Sequence, residues 1–337
     1  MDIFASLPRR LLPWYAQNRR QLPWREDREP YHIWLSEIML QQTRVEAVKG
    51  YYARFLAALP TVEALAKADG QTLLKLWEGL GYYTRVRNLQ KAARQIMEKH
   101  GGVFPSDYDA IRALPGVGDY TAGAIGSICF GLKTPAVDGN VLRVCTRLTA
   151  DATPIDRASF KKELTEKLRQ AYPETNCGQM TQALMELGAT VCVPNGAPDC
   201  FVCPLGDICL AHLEKKETAF PVKSQKKPRK IQNMTVLLLH NGDVYAMQKR
   251  PERGLLAGLW EFPHLDGTLT LSQVLAQLEQ WGVEALEVEK TVSKVHIFTH
   301  IEWHMTGFFI SCRPSGELLW QDITTAALPT AFRCFLE

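Results

Sequence analysis

A glutamate set among apolar residues is the first candidate for chemistry in this sequence. In PYHIWLSEIMLQQT, residues 30 to 43, helical spacing places Ile33 and Trp34 one turn before Glu37, with Leu40 and Gln41 one turn after it. Burying that face desolvates the carboxyl, raises its pKa and favours the protonated form, which suits a general acid. A half-buried glutamate paired with an arginine is the alternative. The second candidate lies in TPAVDGNVLRV, residues 134 to 144, where an extended apolar approach ends at Asp138-Gly139-Asn140 and helical periodicity follows. Asp138 then stands at an N-cap, where backbone donors and the positive helix end are expected to lower its pKa and keep it ionised. Capping alone also accounts for such an aspartate. A neutral acid and an anion together suit cleavage of a glycosidic bond through an oxocarbenium-like transition state.

Two further stretches carry chemistry by spacing. LPGVGDYTAGAI, residues 114 to 125, has Pro115, Gly116 and Gly118 in a tight turn that opens a helix of small residues. Preceded by the helical DYDAIRA, it reads as a helix-hairpin-helix whose backbone N–H groups grip a DNA phosphate, or as a structural αα-turn. Asp119 is awkward there, because an anion beside a phosphate weakens the grip. Cys192, Cys200, Cys203 and Cys209 form a C-x7-C-x2-C-x5-C run directly after the helical QMTQALMELGATV. Four thiolates so close fit a closed structural metal site, for which zinc and an iron–sulfur cluster are both admissible. Cys129, Cys145, Cys177, Cys312 and Cys334 read as core residues.

The elements that position these residues follow from pattern. The chain has 337 residues, 46% apolar and 22% charged, which fits two globular domains. Its net charge of +3 leaves any nucleic-acid binding to local basic patches. No apolar run reaches the ~20 residues that span a bilayer, and MDIFASLPRRLLPW has no signal-peptide core, so a cytoplasmic protein is expected. Nine cysteines in such a chain argue against a disulfide scaffold. Residues 1–220 read as an all-α domain of short helices, for example NLQKAARQIMEKHGG with its glycine stop. PVKSQKKPRK, residues 221–230, reads as a basic exposed linker. Residues 231–337 change to period two, with a hairpin at Asn241-Gly242-Asp243, an amphipathic segment near 271–281 and strands around 286–311, giving an α+β domain.

The ordered motifs LPWR, WLSEIMLQQT, LWEGLGYYTRVRNL, LPGVGDYTAGAI, VDGN, MELGA and the four cysteines resemble the helix-hairpin-helix DNA glycosylases. Within them, the chain resembles the MutY family of adenine DNA glycosylases from about residue 8 to 210. KRPERGLLAGLWEFP and HIFTH in the C-terminal part are similar to that family's 8-oxoguanine-sensing, Nudix-like domain. The resemblance implies a base-excision repair enzyme that flips out adenine mispaired with 8-oxoguanine or G in duplex DNA and hydrolyses its N-glycosidic bond. It implies a [4Fe–4S] cluster on the four cysteines, with the seven-residue first spacing, one longer than usual in the family, absorbed in PNGAPD. It also implies that Glu37 protonates adenine N7, and that Asp138, steadied by Asn140, stabilises or briefly bonds the sugar cation.

By the same resemblance Arg25 and Gln182 contact the flipped adenine and Trp24 lines its pocket. Gln42 and Tyr82 act as wedges in the opened duplex, and Thr43 and Leu80 approach 8-oxoguanine. Phe298-Thr299-His300 stands where the family has Phe-Ser-His. Tyr120 replaces the lysine that forms a Schiff base in lyase-type relatives; a phenol forms no imine, so a monofunctional enzyme is expected. No Arg-Glu-x-x-Glu-Glu run is present to hold magnesium, so the C-terminal domain is expected to read DNA rather than hydrolyse nucleotides. The rival readings are a lyase-type pyrimidine glycosylase, a non-catalytic damage-binding protein and a Nudix pyrophosphatase. A monomer, cytoplasmic and associated with a bacterial nucleoid, is expected.

Overall fold

Apolar residues at helical spacing, cut by glycine and proline, fold the first part of the chain into helices, and period-two segments fold the last part into a sheet. The computed structural model describes residues 3–225, 228–314 and 318–337. The chain divides into two compact units, Met1–Ala68 with Arg87–Gln225, and Asp69–Val86 with Lys226–Glu337. Residues 69–86, assigned from sequence to the all-α domain, thus group with the C-terminal unit. The reason is local: Lys75 and Glu78 hydrogen-bond the stretch that ends in the Thr330–Arg333 helix. Among the described residues no helix is long and apolar enough to cross a membrane.

In the first unit, Pro30 presets the backbone for the first turn of helix Pro30–Leu40, which is buried from Ile33 through Met39. That burial on all sides explains how a glutamate in the middle of this helix ends up away from water. Helix Gly139–Thr149 packs against helix Cys177–Thr190, and a core of Leu7, Leu11, Val144, Leu148, Leu184 and Leu187 joins them to helix Leu7–Asn18. Their close approach needs a glycine: a Cβ on Gly188 would lie 2.5 Å from the Cβ of Asn140. Helix Tyr108–Arg112, capped by Asp107, and helix Asp119–Phe130 flank the predicted hairpin. At its tip Gly116 has φ +76°, and a Cβ there would meet Asn88 at 2.6 Å. The expected linker starts on this unit, since Ile155 donates to the Val222 carbonyl at 3.0 Å and Ser224 bonds Asp156 at 3.0 Å. Lys226 and Lys227 of that linker lie outside the described residues.

The second unit is built on strands β1 (Lys230–Asn241), β2 (Val244–Lys249), β3 (Trp260–Glu261), β4 (His264–Asp266), β5 (Ala285–Ile297), β6 (Ile301–Cys312) and β7 (Leu319–Asp322). Their order is β3-β2-β1-β6-β5, with β4 on β1 and β7 on β2; β1 and β6 are parallel and the other pairs antiparallel. The β1–β2 hairpin turns where expected, with Gly242 at φ +61°. Helix Leu271–Gln280 begins in a Thr270/Gln273 capping box and lays Val274 and Leu278 on one side of the sheet. Phe332 and Phe335 pack in a core with Val236, Leu238 and Phe309.

Candidate active site

A cleft of about 680 Å³ in the first unit is lined by Glu37, Tyr120, Asp138 and Asn140. Four residues from three helices and one cap, separated by up to 103 positions, therefore share one space. Glu37 is 6% exposed, and the Tyr120 hydroxyl donates to its Oε2 at 2.5 Å. Burial pushes the Glu37 carboxyl up to about 7; the Tyr120 hydrogen bond and Arg25 pull it down, while Asp138 adds to the rise. Asp138 caps helix Gly139–Thr149: Oδ1 accepts the Val141 N–H at 2.8 Å and Oδ2 accepts Asn140 Nδ2 at 2.7 Å.

The expectation that capping lowers the Asp138 pKa is corrected here. Burial raises it, and the hydrogen bonds from Val141 and Asn140 offset that only in part. What distinguishes the two acids is their donors. Asp138 has a backbone and an amide donor arranged for its anion, whereas Glu37 has one phenol. The Asn140 amide is itself oriented, because its Oδ1 accepts Arg143 Nη2 at 2.9 Å and so turns its NH2 toward Asp138. Arg143 also donates to the carbonyls of Gly188 and Cys192, each at 2.7 Å.

Trp24, Arg25, Gln42, Thr43 and Gln182 line the same cleft. Trp24 is buried and meets Tyr52 edge-on at 5.5 Å. Gln182 accepts from the Tyr15 hydroxyl through its side-chain oxygen, and Gln42 stands in a left-handed backbone conformation at φ +60°. Sequence reasoning missed Glu186, which is fully buried at the cleft wall. It accepts Arg20 Nε at 2.7 Å and Arg25 Nη2 at 2.8 Å. Burial works to raise its pKa, yet these two arginines outweigh burial and hold the carboxyl down at about 2. Glu186 is thus an anion and fixes the Arg25 guanidinium. The signal was available: like Glu37, it is an acid inside an apolar helical run, QALMELGA.

Gly118 is the N-cap of helix Asp119–Phe130 and supplies no side-chain cap for the first-turn N–H groups. The awkward Asp119 is engaged by Arg112 of the preceding helix, which neutralises its charge locally.

The four predicted cysteine ligands gather on one loop. Burial first, and then the neighbouring cysteines among other groups, raise the thiols of Cys200 to about 11 and Cys203 to about 12, and raise that of Cys209. Arg147 Nη1 donates to Cys192 Sγ at 3.2 Å. Between Cys192 and Cys200 the chain folds back, the Asp199 N–H reaching the Val191 carbonyl at 3.2 Å. A Cβ on Gly206 would lie 2.7 Å from the Cys200 carbonyl, so the loop is cradled closely. One buried and three partly buried thiols on one short stretch, with a guanidinium at hand, are a donor set that fits a structural metal or an iron–sulfur cluster. The ligand atoms of Cys200, His212 and Glu217 also lie within 4.8 Å of one another.

In the second unit the Phe298-Thr299-His300 tip is a tight turn between β5 and β6, closed by the Phe298 N–H on the Ile301 carbonyl at 2.9 Å. The Phe298 ring packs on Trp303 at 4.8 Å between centroids. Tyr82 also belongs to this unit, half-exposed, as does Leu80, which is buried at 6%.

Residues 35–170 match the model of the HhH-GPD superfamily base excision DNA repair protein, and residues 234–337 match a NUDIX domain. The chain is 33% identical to the adenine DNA glycosylase of Rattus norvegicus over 98% of its length and 77% of that protein. It is 33% identical to the adenine DNA glycosylase of Buchnera aphidicola, covering 91% of this chain and 86% of that one. Among solved structures, a thermostable thymine-DNA glycosylase superposes with a TM-score of 0.58 at 29% identity, over 63% of this chain and 97% of that one. With these matches, and with a buried acid and a helix-capping aspartate lining one cleft, the chain is a member of the adenine DNA glycosylase family.

Proposed function

We propose that this enzyme is a monofunctional base-excision repair glycosylase that removes adenine paired with 8-oxoguanine, or with G, in duplex DNA. The observation that carries the reading is that Glu37 and Asp138 line one cleft, with Tyr120 bonded to Glu37 and Asn140 to Asp138. Glu37, pushed up to about 7 by burial, keeps a substantial protonated fraction at neutral pH and delivers its proton to adenine N7, which turns the base into a leaving group. Asp138 lies under the sugar and stabilises the oxocarbenium ion, or bonds it transiently before water arrives. One anion about 4 Å from that charge is worth roughly 4 kcal/mol at an effective dielectric of 20, about a thousandfold in rate. The acid supplies what remains.

Trp24, Arg25 and Gln182 receive the flipped adenine, with Glu186 fixing the Arg25 fork. Gly116 and Gly118 shape the hairpin that holds a phosphate, Gln42 and Tyr82 act as wedges in the opened duplex, and Thr43 and Leu80 approach 8-oxoguanine. The all-α part carries the chemistry, and the Nudix-like part beyond the basic linker reads 8-oxoguanine through Phe298, Thr299 and His300. Cys192, Cys200, Cys203 and Cys209 hold a [4Fe–4S] cluster whose contribution is to tie residues 192–209 into one closed loop. The protein acts as a monomer.

Single-turnover release of adenine from duplexes with 8-oxoguanine, G, C or T opposite tests this reading. Fastest release opposite 8-oxoguanine, then G, is expected. Equal rates for all four, or release of a pyrimidine instead, would overturn it.

A further inference from the structure

The segment that carries Tyr82 is fastened to the C-terminal sheet by a small group of charges that the proposed function does not use. Glu78, whose side chain is 9% exposed, is the centre of it. Its Oε1 accepts the Leu328 N–H at 3.1 Å and the Arg333 guanidinium, and its Oε2 takes Lys75 at 2.8 Å. Lys75 in turn donates to the Thr324 carbonyl at 2.9 Å. One buried carboxylate is thus shared by two cations and a backbone donor from the last fourteen residues and from helix Gly70–Leu76. A charge so placed is costly unless every partner is kept, so it fixes the geometry of what it joins.

What it joins to the sheet is a braced turn. Gly79, Gly81 and Tyr82 have φ of +96°, +70° and +47°, a run that only a held chain adopts at a tyrosine. Trp77 Nε1 donates to the Gly81 carbonyl at 3.1 Å, and Arg85 donates to the carbonyls of Leu80 and Gly81 at 2.8 and 3.1 Å. At the end of this turn the Tyr82 hydroxyl lies 3.2 Å from Thr299 Oγ1. From the sheet side the Phe298-Thr299-His300 tip is held too: Arg229 Nε donates to the Phe298 carbonyl, and the Lys230 N–H to that of His300, each at 3.1 Å. Two side chains from distant parts of the sequence are thereby presented side by side by one rigid frame.

We infer that Glu78 is a positioning residue for discrimination at the base opposite adenine: by joining Lys75, Leu328 and Arg333 it sets the Tyr82 wedge against the Thr299 hydroxyl. The inference rests on the proposed reading of 8-oxoguanine by this tip. When the opposite base is 8-oxoguanine, wedge and hydroxyl address it together; G offers only an N7 acceptor in place of the N7–H donor and O8 of 8-oxoguanine, so the hydroxyl has less to read and its placement matters less. Loss of Glu78 therefore affects one substrate more than the other, which loss of general stability does not.

The test uses the full chain, with A:8-oxoguanine and A:G duplexes and single-turnover kinetics that separate the rate from the apparent Kd. Glu78→Ala is expected to cut the preference for 8-oxoguanine over G tenfold or more, mainly through Kd, with excision from A:G changing less than threefold. Arg333→Gln keeps more of the fold and is expected to move the ratio the same way by a smaller factor. The swapped pair Glu78→Arg with Arg333→Glu is expected to regain part of the preference. An unchanged ratio in both single variants, or an equal fall on both substrates with no regain in the swapped pair, overturns the inference while the proposed function stands. A wild-type protein with no preference for 8-oxoguanine over G overturns the proposed reading and this inference with it.

Discussion

Glu37→Gln separates the cost of burying an acid from its use. The carboxyl ionises at 4.5 under ordinary conditions and at about 7 in the fold. Between those two pH values the unfolded chain has released the proton and the folded chain still holds it, so stability falls as pH rises through this window. The full difference is about 3 kcal/mol once both states are ionised. Glutamine still accepts the Tyr120 hydrogen bond and has no charge to lose. Part of that difference is already lost by pH 5, so urea unfolding at pH 5 and pH 8 is expected to show wild type losing about 2 to 3 kcal/mol more than Glu37→Gln, the contributions of all other groups cancelling in the comparison. Adenine excision is expected to fall on the order of 10²–10⁴-fold in the same variant. A variant more stable at pH 8 yet inactive is the joint signature. Equal pH dependence of stability in the two proteins would refute the desolvated acid, and excision at the wild-type rate would refute its role.

Four further outcomes follow from the same geometry. In wild type, kcat/KM for adenine release is expected to decline above about pH 7, where Glu37 loses its proton; a profile flat to pH 9 contradicts this. Glu186→Ala leaves Arg25 unpaired beside the cleft, and is expected to destabilise by about 2 kcal/mol, below the usual range for a buried pair because Arg20 retains water contact. Its excision rate should fall further than its stability, as thermal unfolding and single-turnover kinetics in parallel would show. Borohydride is expected to trap no covalent DNA adduct on wild type, whereas Tyr120→Lys places an amine beside the sugar and should trap one; a stoichiometric wild-type adduct through a lysine reverses the monofunctional assignment. Cys203→Ser is expected to abolish the broad visible absorbance and bound iron of the purified protein, which elemental analysis checks against zinc.

Much of the cleft was legible from residue types and their spacing. An acid in an apolar helical run points to burial, because Ile33 and Trp34 on its face favour leaving water; an aspartate before Gly139 announces a cap; glycines at 116 and 118 announce a hairpin. The Nudix-like half was legible as alternation of apolar and polar residues broken by turns, since strand pairing leaves that mark locally. Spacing cannot report which charges meet after the chain folds. Asp138 looked like a cap whose donors would keep its pKa low, but only the packed structure decides that burial outweighs those donors. Glu186 meets Arg20 and Arg25 across more than a hundred and sixty positions, and Arg143 orients Asn140 through a side chain with no motif of its own. The same holds for residues 69–86, helical by pattern and continuous with the first domain in sequence, yet grouped with the second unit. Local periodicity fixes which face of an element is buried; the partner that buries it is chosen by long-range contacts, and so is the desolvation that sets each acid's proton.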